Sequence, residues 1–213
     1  MNIGIIGSGV VGQAVGSKLA QLGHSVVIGS RDPGKLAEWV AQTGPNARAG
    51  TFAEAAAHGE IVINATSGTV SLEALELAGG ENLRGKILID LANPLDFSQG
   101  MPPRLTVSNT DSLAEQIQRA YPETHVVKTL NTVNTSVMVS PQVVGGGDHH
   151  LFISGNNPEA KAAVTELLHS FGWEHVVDLG DIRTARGTEM LLPLWLNLMG
   201  VFGTPTFNFK LVR

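Results

Sequence analysis

Ile3-Gly4-Ile5-Ile6-Gly7-Ser8-Gly9-Val10-Val11-Gly12 joins a short apolar strand to a glycine turn near the start of the chain. A helical stretch follows, in which Ala14, Val15, Leu19 and Leu22 fall at helical spacing before Gly23, and then a second strand over 25–28. Strand, turn, helix and strand in about thirty residues make a βαβ unit, whose strands must be parallel and whose crossover must be right-handed. In that context Gly7 serves the tight turn, Gly9 lets the backbone approach a pyrophosphate, and Gly12 permits close packing of helix on strand. The amides of Val10 and Val11, reinforced by the helix dipole, are expected to face the phosphates. The plain alternative is a tight turn in a doubly wound fold that holds no nucleotide.

The alternation continues outward from this unit. Asp32-Pro33 carries the N-cap and first-turn proline signals of a helix, with Leu36, Ala37 and Val40 as its apolar positions. Strands are expected at 48–50, 60–64, 86–91, 125–130, 151–154 and 175–178. Helices are expected at 51–58, 72–78, from Ser112 to just before Pro122, 158–171, and 183–200 with a break near Pro193. Ser112 and Glu115 resemble a capping box, and residues 93–104, rich in Pro, Gly, Asp and Ser, are expected to form a loop. The expected architecture is one α/β unit over 1–213: a doubly wound, mainly parallel Rossmann-type sheet with its core at about 1–130 and a small C-terminal αβ extension at about 131–213.

Composition bounds the chemistry. Of 213 residues, 43% are hydrophobic and only 15% charged, enough apolar surface for a substantial core. The absence of cysteine excludes disulfides, thiolate metal sites, iron–sulfur clusters and a Cys nucleophile. A net charge of −5, with scattered cations, argues against a nucleic-acid partner. No signal segment precedes the first strand, and the apolar run 190–199, interrupted by Pro193 and Asn197, is too short to span a bilayer, so no membrane partner and a cytoplasmic location are expected. The 25 glycines divide between a backbone close to phosphates, expected at Gly7, Gly9, Gly12 and Gly29, and helix stops such as Gly23, Gly172 and Gly200.

The second strand runs into Gly29-Ser30-Arg31, where an NAD-binding protein would place a carboxylate against the ribose 2′-hydroxyl. A hydroxyl and a guanidinium match a 2′-phosphate by charge and by forked hydrogen bonding, and Lys35 adds a point charge, so NADP is expected over NAD. Asp32, ahead of Pro33, reads as an N-cap. Asn64-Ala65-Thr66-Ser67-Gly68 and Ala92-Asn93-Pro94-Leu95 leave the fourth and fifth strands as small uncharged residues, where open α/β sheets hold their ligands.

Familiar catalytic sets are missing. Tyr121 has His125 four positions on, not lysine, and no nucleophile elbow occurs. His149-His150, in an apparent loop, reads as solvated and not as a metal site, so no metal is expected. Lys128 and Asn131, at the end of the sixth strand, are weak candidates for catalysis: Lys128 as a general acid for carbonyl or imine reduction, or as a strand-end lysine reaching solvent.

Taken together, the segment 5–12, Gly29-Ser30-Arg31-Asp32-Pro33, Asn93-Pro94, Val127-Lys128-Thr129-Leu130-Asn131-Thr132, Asp178-Leu179-Gly180 and Phe207-Asn208-Phe209-Lys210-Leu211 resemble the NADPH-dependent coenzyme F420 reductases. The cytosolic reductase domain of the six-transmembrane metalloreductases is similar to the same stretch. The resemblance implies hydride transfer between NADP(H) and a 5-deazaflavin. It maps the phosphate loop to Ser8, Val10 and Val11, the 2′-phosphate pocket to Ser30, Arg31 and Lys35, and the nicotinamide end to Ala65, Thr66, Ala92 and Asn93. One position departs from the pattern: a histidine stands in the archaeal members where this chain has Asn131, which leaves a flavin or another small-molecule hydride acceptor as alternatives. Transfer between two rings needs no proton relay, which agrees with the missing acid–base set. The other classes are a carbonyl or imine reductase and a non-catalytic NADP-binding sensor. The apolar stretch 190–196 is a candidate wall for the second ring or for the partner in a homodimer.

Overall fold

In the computed structural model, which covers Met1–Arg213, Ile3, Ile5 and Ile6 are wholly buried, as a strand covered on both faces requires. The strands, in chain order, are β1 (Asn2–Ile6), β2 (Ser25–Gly29), β3 (Ala47–Gly50), β4 (Ile61–Asn64), β5 (Ile87–Asp90), β6 (Leu95–Asp96), β7 (Arg104–Leu105), β8 (His125–Thr129), β9 (His150–Gly155) and β10 (His175–Asp178). Eight of them form one sheet in the order β10-β9-β8-β5-β4-β1-β2-β3, and β6 and β7 make a separate antiparallel hairpin. Strands β1 to β5 and β8 are parallel, with Ile5 level with Ile28 on one side and Ile63 on the other. Strand β9 runs antiparallel to β8, and β10 runs parallel to β9. The chain is therefore α/β with a mostly parallel, doubly wound sheet.

The helices are α1 (Val10–Gln21), α2 (Ala37–Thr43), α3 (Phe52–His58), α4 (Ser71–Ala78), α5 (Gly80–Leu83), α6 (Leu113–Ala120), α7 (Thr135–Val139), α8 (Pro158–Phe171), α9 (Ala185–Met190) and α10 (Leu192–Phe202). Alternation along β1 divides the interior: Ile3 and Ile5 join Val15, Leu19, Val164 and Phe171 in one core, and Ile6 joins Ala55, Leu75, Leu88 and Ile117 in the other. Gly4 is where α3 lies on the sheet, since a Cβ there would come within 2.0 Å of the Ala55 carbonyl oxygen. The predicted α8 is found as drawn, with Asn157 accepting from the Ala160 amide at 2.7 Å and Gly172 in the left-handed region.

Several local expectations need correction. Asp32 makes no capping bond: Pro33–Leu36 is a 3-10 turn, α2 begins at Ala37, which is exposed, and the buried residues are Leu36 and Trp39. Residues 93–104 are not all loop, because Leu95 pairs with Leu105 across the β6–β7 hairpin, and the short α5 gave no clear signal. Gly29 has a packing reason that the sequence did not show, since a Cβ on it would meet the Phe52 Cα at 2.9 Å. Gly200 lies inside α10, whose stop is Gly203. Ser112 does cap α6, accepting from the Glu115 amide at 3.2 Å, but the Glu115 carboxylate turns to the Ser112 hydroxyl and to Arg186.

Candidate functional site

The carboxyl ends of the parallel strands open onto two adjoining cavities that share Ala65, Thr66 and Ser67. The first, about 360 Å³, is bordered by Gly7, Ser8 and Gly9 after β1, by Ser30, Arg31, Asp32 and Lys35 after β2, and by Glu73 and Leu77 on α4. Its loop is fixed from two sides: Gln13 Nε2 donates to the Ser8 carbonyl at 2.8 Å, and Ser8 Oγ donates to Ser30 Oγ at 3.1 Å. The Ser30 hydroxyl also accepts from the Asp32 amide at 3.1 Å, which shapes the turn after β2.

The three glycines of the turn have different causes. Gly7 has φ +117, and a Cβ on it would lie 2.6 Å from the Ala65 carbonyl oxygen; one on Gly12 would lie 2.0 Å from the Gly7 carbonyl oxygen. Both are dictated by the protein's own packing. Gly9 is not: its φ of −74 and ψ of −175 suit any residue, and a Cβ there meets no protein atom within 4 Å. Space is kept in front of this one backbone unit, at the head of α1, whose first turn has no side-chain cap and no acidic residue. Arg31 is exposed and has no hydrogen-bond or ion-pair partner in the protein, and Lys35 Nζ stands 3.7 Å from Asp32 Oδ2. An open cradle, free helix amides and an unpaired guanidinium fit a phosphorylated dinucleotide.

The second cavity, about 330 Å³, is lined by 18 residues, none of them ionisable. Val11, Ala92, Asn93 and Asn131 form its floor, Met138 on α7 and Phe97 stand at the sides, and Leu192, Trp195 and Leu196 of α10 make the far wall. Asn93 Nδ2 donates to the Asn131 carbonyl at 2.8 Å, and Asn131 Nδ2 donates to Asn93 Oδ1 at 3.0 Å and to the Thr188 carbonyl at 3.1 Å. Trp195 is held from behind by Phe207, whose ring stacks on it at a centroid distance of 5.1 Å.

Beneath the cleft lies a buried polar network. Thr66 Oγ1 donates to Asn64 Oδ1 at 2.7 Å, and Asn64 Nδ2 donates to Asp90 Oδ1 at 2.8 Å. Lys128 Nζ donates to Asp90 Oδ2 at 2.8 Å, lies 3.0 Å from Glu189 Oε1, and bonds the Ala92 carbonyl. Burial opposes the charge of Lys128, but the Asp90 and Glu189 carboxylates outweigh it and hold the ammonium above the usual lysine range. Lys128 therefore does not reach solvent, and with its three N–H directions occupied it presents no proton to the cavity.

Of the residues predicted from sequence, Gly7, Ser8, Gly9, Ser30, Arg31, Lys35, Ala65 and Thr66 meet in the first cavity, and Val11, Ala92, Asn93 and Asn131 in the second. Val10, Gly12, Pro94 and Lys128 line neither; Pro94 instead accepts from the Thr106 amide at 2.8 Å and steadies the hairpin. His149 is buried, not solvated: Nε2 bonds the Pro141 carbonyl and Nδ1 meets Asn208 Nδ2. Asp90, Glu189, Met138 and Phe97 gave no sequence signal, because their partners are remote in the chain.

A family model described as NADP oxidoreductase coenzyme F420-dependent matches residues 2–94, the stretch that carries the first cavity and, with Val11, Ala92 and Asn93, most of the floor of the second. A solved structure from Arthrobacter sp. FB24, named as a candidate F420-dependent NADP reductase, is 55% identical, covers 100% of both chains and superposes with a TM-score of 0.97. The chain belongs to the coenzyme F420-dependent NADP oxidoreductase family. It is thus an NADP-dependent oxidoreductase. The F420-dependent NADP reductase of Methanothermobacter marburgensis is 29% identical over 93% of this chain and 92% of its own length. The rat protein Metalloreductase STEAP3 is 30% identical over 91% of this chain, which spans only 37% of that relative. No helix is long and apolar enough to cross a membrane.

Proposed function

We propose that this F420-family oxidoreductase transfers hydride directly between NADPH and a planar ring acceptor, a deazaflavin of the F420 type or a flavin, without a protein acid or base. The observation that carries the proposal is the second cavity: it adjoins the nucleotide cradle, is walled by apolar side chains, and contains no ionisable group. Carbonyl reduction is served by an ionisable general acid beside the developing alkoxide, and none lines this cavity, whereas a deazaflavin or flavin ring delocalises the charge it gains and takes its proton from water. Ring-to-ring transfer needs positioning and exclusion of water, which apolar walls provide.

In this account Arg31, Ser30 and Lys35 hold the 2′-phosphate, and the Gly7-to-Val11 backbone holds the pyrophosphate. Ala65, Thr66, Ala92 and Asn93 support the nicotinamide end, with Pro94 fixing the loop behind it. When bound, NADPH supplies the hydride. Asn131 and its clasp with Asn93 keep the floor flat, and Leu192, Trp195 and Leu196 keep water from the reacting faces. Residues 1–130 thus hold the nucleotide and one side of the acceptor cavity, and 131–213 close the cavity from the other side. Leu194, Val201 and Phe202 of α10 are 50%, 78% and 56% exposed, and no charged residue occurs between Glu189 and Lys210, so we assign this face to the contact of a homodimer.

The test is NADPH oxidation followed with F420, FMN, FAD and a panel of carbonyls and imines in turn. The expected result is turnover with a ring acceptor and none with the panel. Turnover confined to the carbonyls or imines would overturn the proposal, and tight NADPH binding without any turnover would favour a sensor.

A further inference from the structure

We infer that Lys128 is a positioning residue that sets the width of the acceptor cavity, acting through the Ala92 carbonyl on one side and the Glu189 carboxylate on the other. The side chain is wholly buried, as are those of Asp90 and Glu189 to within 1%. A buried ammonium is not needed to fill this space; an apolar side chain of similar length would do so without the desolvation cost. What the ammonium adds is three fixed donor directions, and here they reach three separate parts of the chain. Asp90 ends β5, Ala92 belongs to the cavity floor, and Glu189 lies one turn of helix before Leu192, the first of the three α10 residues in the far wall.

Glu189 is in turn fixed to the body of the protein. Its carboxylate accepts from the Leu113 amide at 2.8 Å and the Ala114 amide at 3.1 Å at the start of α6. Asn131 Nδ2 adds an uncharged tie to the neighbouring Thr188 carbonyl at 3.1 Å. Floor and far wall, which belong to stretches of chain remote in sequence, are thereby referred to one atom, Lys128 Nζ. Toward the nucleotide cradle the same network reaches only its shared edge, through Asp90 Oδ1 to Asn64 and Thr66, while the phosphate loop itself is held separately by Gln13 and Ser30. The inference rests on the assignment of the second cavity to the acceptor.

The experiment compares the full chain with Lys128→Met, which keeps the shape, and Glu189→Gln, which keeps the side-chain volume and an acceptor oxygen should Lys128→Met fail to fold. Three quantities are measured: the NADPH Kd by calorimetry, kcat and KM with F420 and with FMN, and amide hydrogen exchange along α9, α10 and the Gly7–Gly12 turn. The expected result is a rise of about tenfold in acceptor KM with kcat and NADPH Kd within about twofold, and faster exchange confined to α9 and the start of α10. A fall in kcat at unchanged KM would make Lys128 part of the chemistry and overturn the inference. Equal loosening of NADPH and acceptor, or exchange unchanged along α9 and α10, would also overturn it. If the unaltered protein turns over neither acceptor, the functional proposal fails, and the exchange pattern alone decides on the role of Lys128.

Discussion

Asn93 and Asn131 clasp each other reciprocally, each side-chain amide donating to the other residue, at 2.8 and 3.0 Å. The pair joins the exits of β5 and β8 beneath the second cavity, and the second Asn131 donor ties the same point to α9 through Thr188. Asn131→Ala leaves Asn93 Oδ1 and the Thr188 carbonyl without their donor in a buried place. The expected cost is about 1–3 kcal/mol, a drop of roughly 3–10 °C in Tm for a chain of this size. A melt unchanged within a degree would show that the clasp holds nothing.

The glycines of the turn give a paired prediction. Gly9→Ala places a methyl group where no protein atom stands, so the melting temperature should hold while the NADPH Kd rises by about tenfold or more. Gly12→Ala drives its methyl into the Gly7 carbonyl oxygen and should lower stability by a few kcal/mol, roughly, before any ligand is added. Calorimetric titration and thermal melts on both variants check this. Loss of stability in Gly9→Ala would mean that the open space serves folding instead of the nucleotide.

Arg31 has no partner in the protein, so its removal should not disturb the fold. Arg31→Glu should weaken NADPH by about a hundredfold, through loss of a charge-assisted pair and gain of a repulsion, while NADH changes by about threefold or less. Equal losses for the two nucleotides would sink the 2′-phosphate assignment.

The pair that fastens α6 to α9 predicts a pH dependence. Arg186 donates to Glu115 at 2.8 and 2.6 Å, and this bond, together with one from the Ser112 hydroxyl and against the opposing effect of burial, holds the Glu115 carboxyl below its ordinary value of 4.5. A lowered carboxyl pKa stabilises the folded state above the unfolded value, and that stability is lost as pH falls through the folded one. The stability gap between the unaltered protein and Arg186→Ala should therefore be largest near neutral pH and narrow as the pH drops below 4.5. Denaturant unfolding across a pH series measures it, and a gap independent of pH would rule the pair out as its source.

The parts that were legible in the sequence are local ones. The β1–turn–α1 unit, α8 with its Asn157 and Gly172 caps, and the Ser30-Arg31 turn all follow from neighbours a few residues apart. The apolar stretch that became the α10 wall was also visible, because an uncharged run needs no partner to be noticed. What stayed hidden depends on remote pairing. Lys128 looked like a strand-end lysine because its partners Asp90 and Glu189 are brought to it only by the sheet order and by the return of α9. His149 looked solvated for the same reason: Pro141 and Asn208 enclose it from two other stretches of chain. Gly29 could not be told apart from Gly9 until the atoms facing it were known.

Direct transfer between two rings is tested most directly with NADPH dideuterated at the nicotinamide C4, oxidised by F420 in ordinary water with this protein. The reacting centre of a deazaflavin is a carbon, whose bound hydrogen does not exchange with solvent, so the origin of that hydrogen is preserved in the product. The account predicts one deuterium on that carbon for each NADPH consumed, read by mass spectrometry or NMR. Reduced deazaflavin carrying only solvent hydrogen, or no reduction while a carbonyl is reduced in its place, would contradict it.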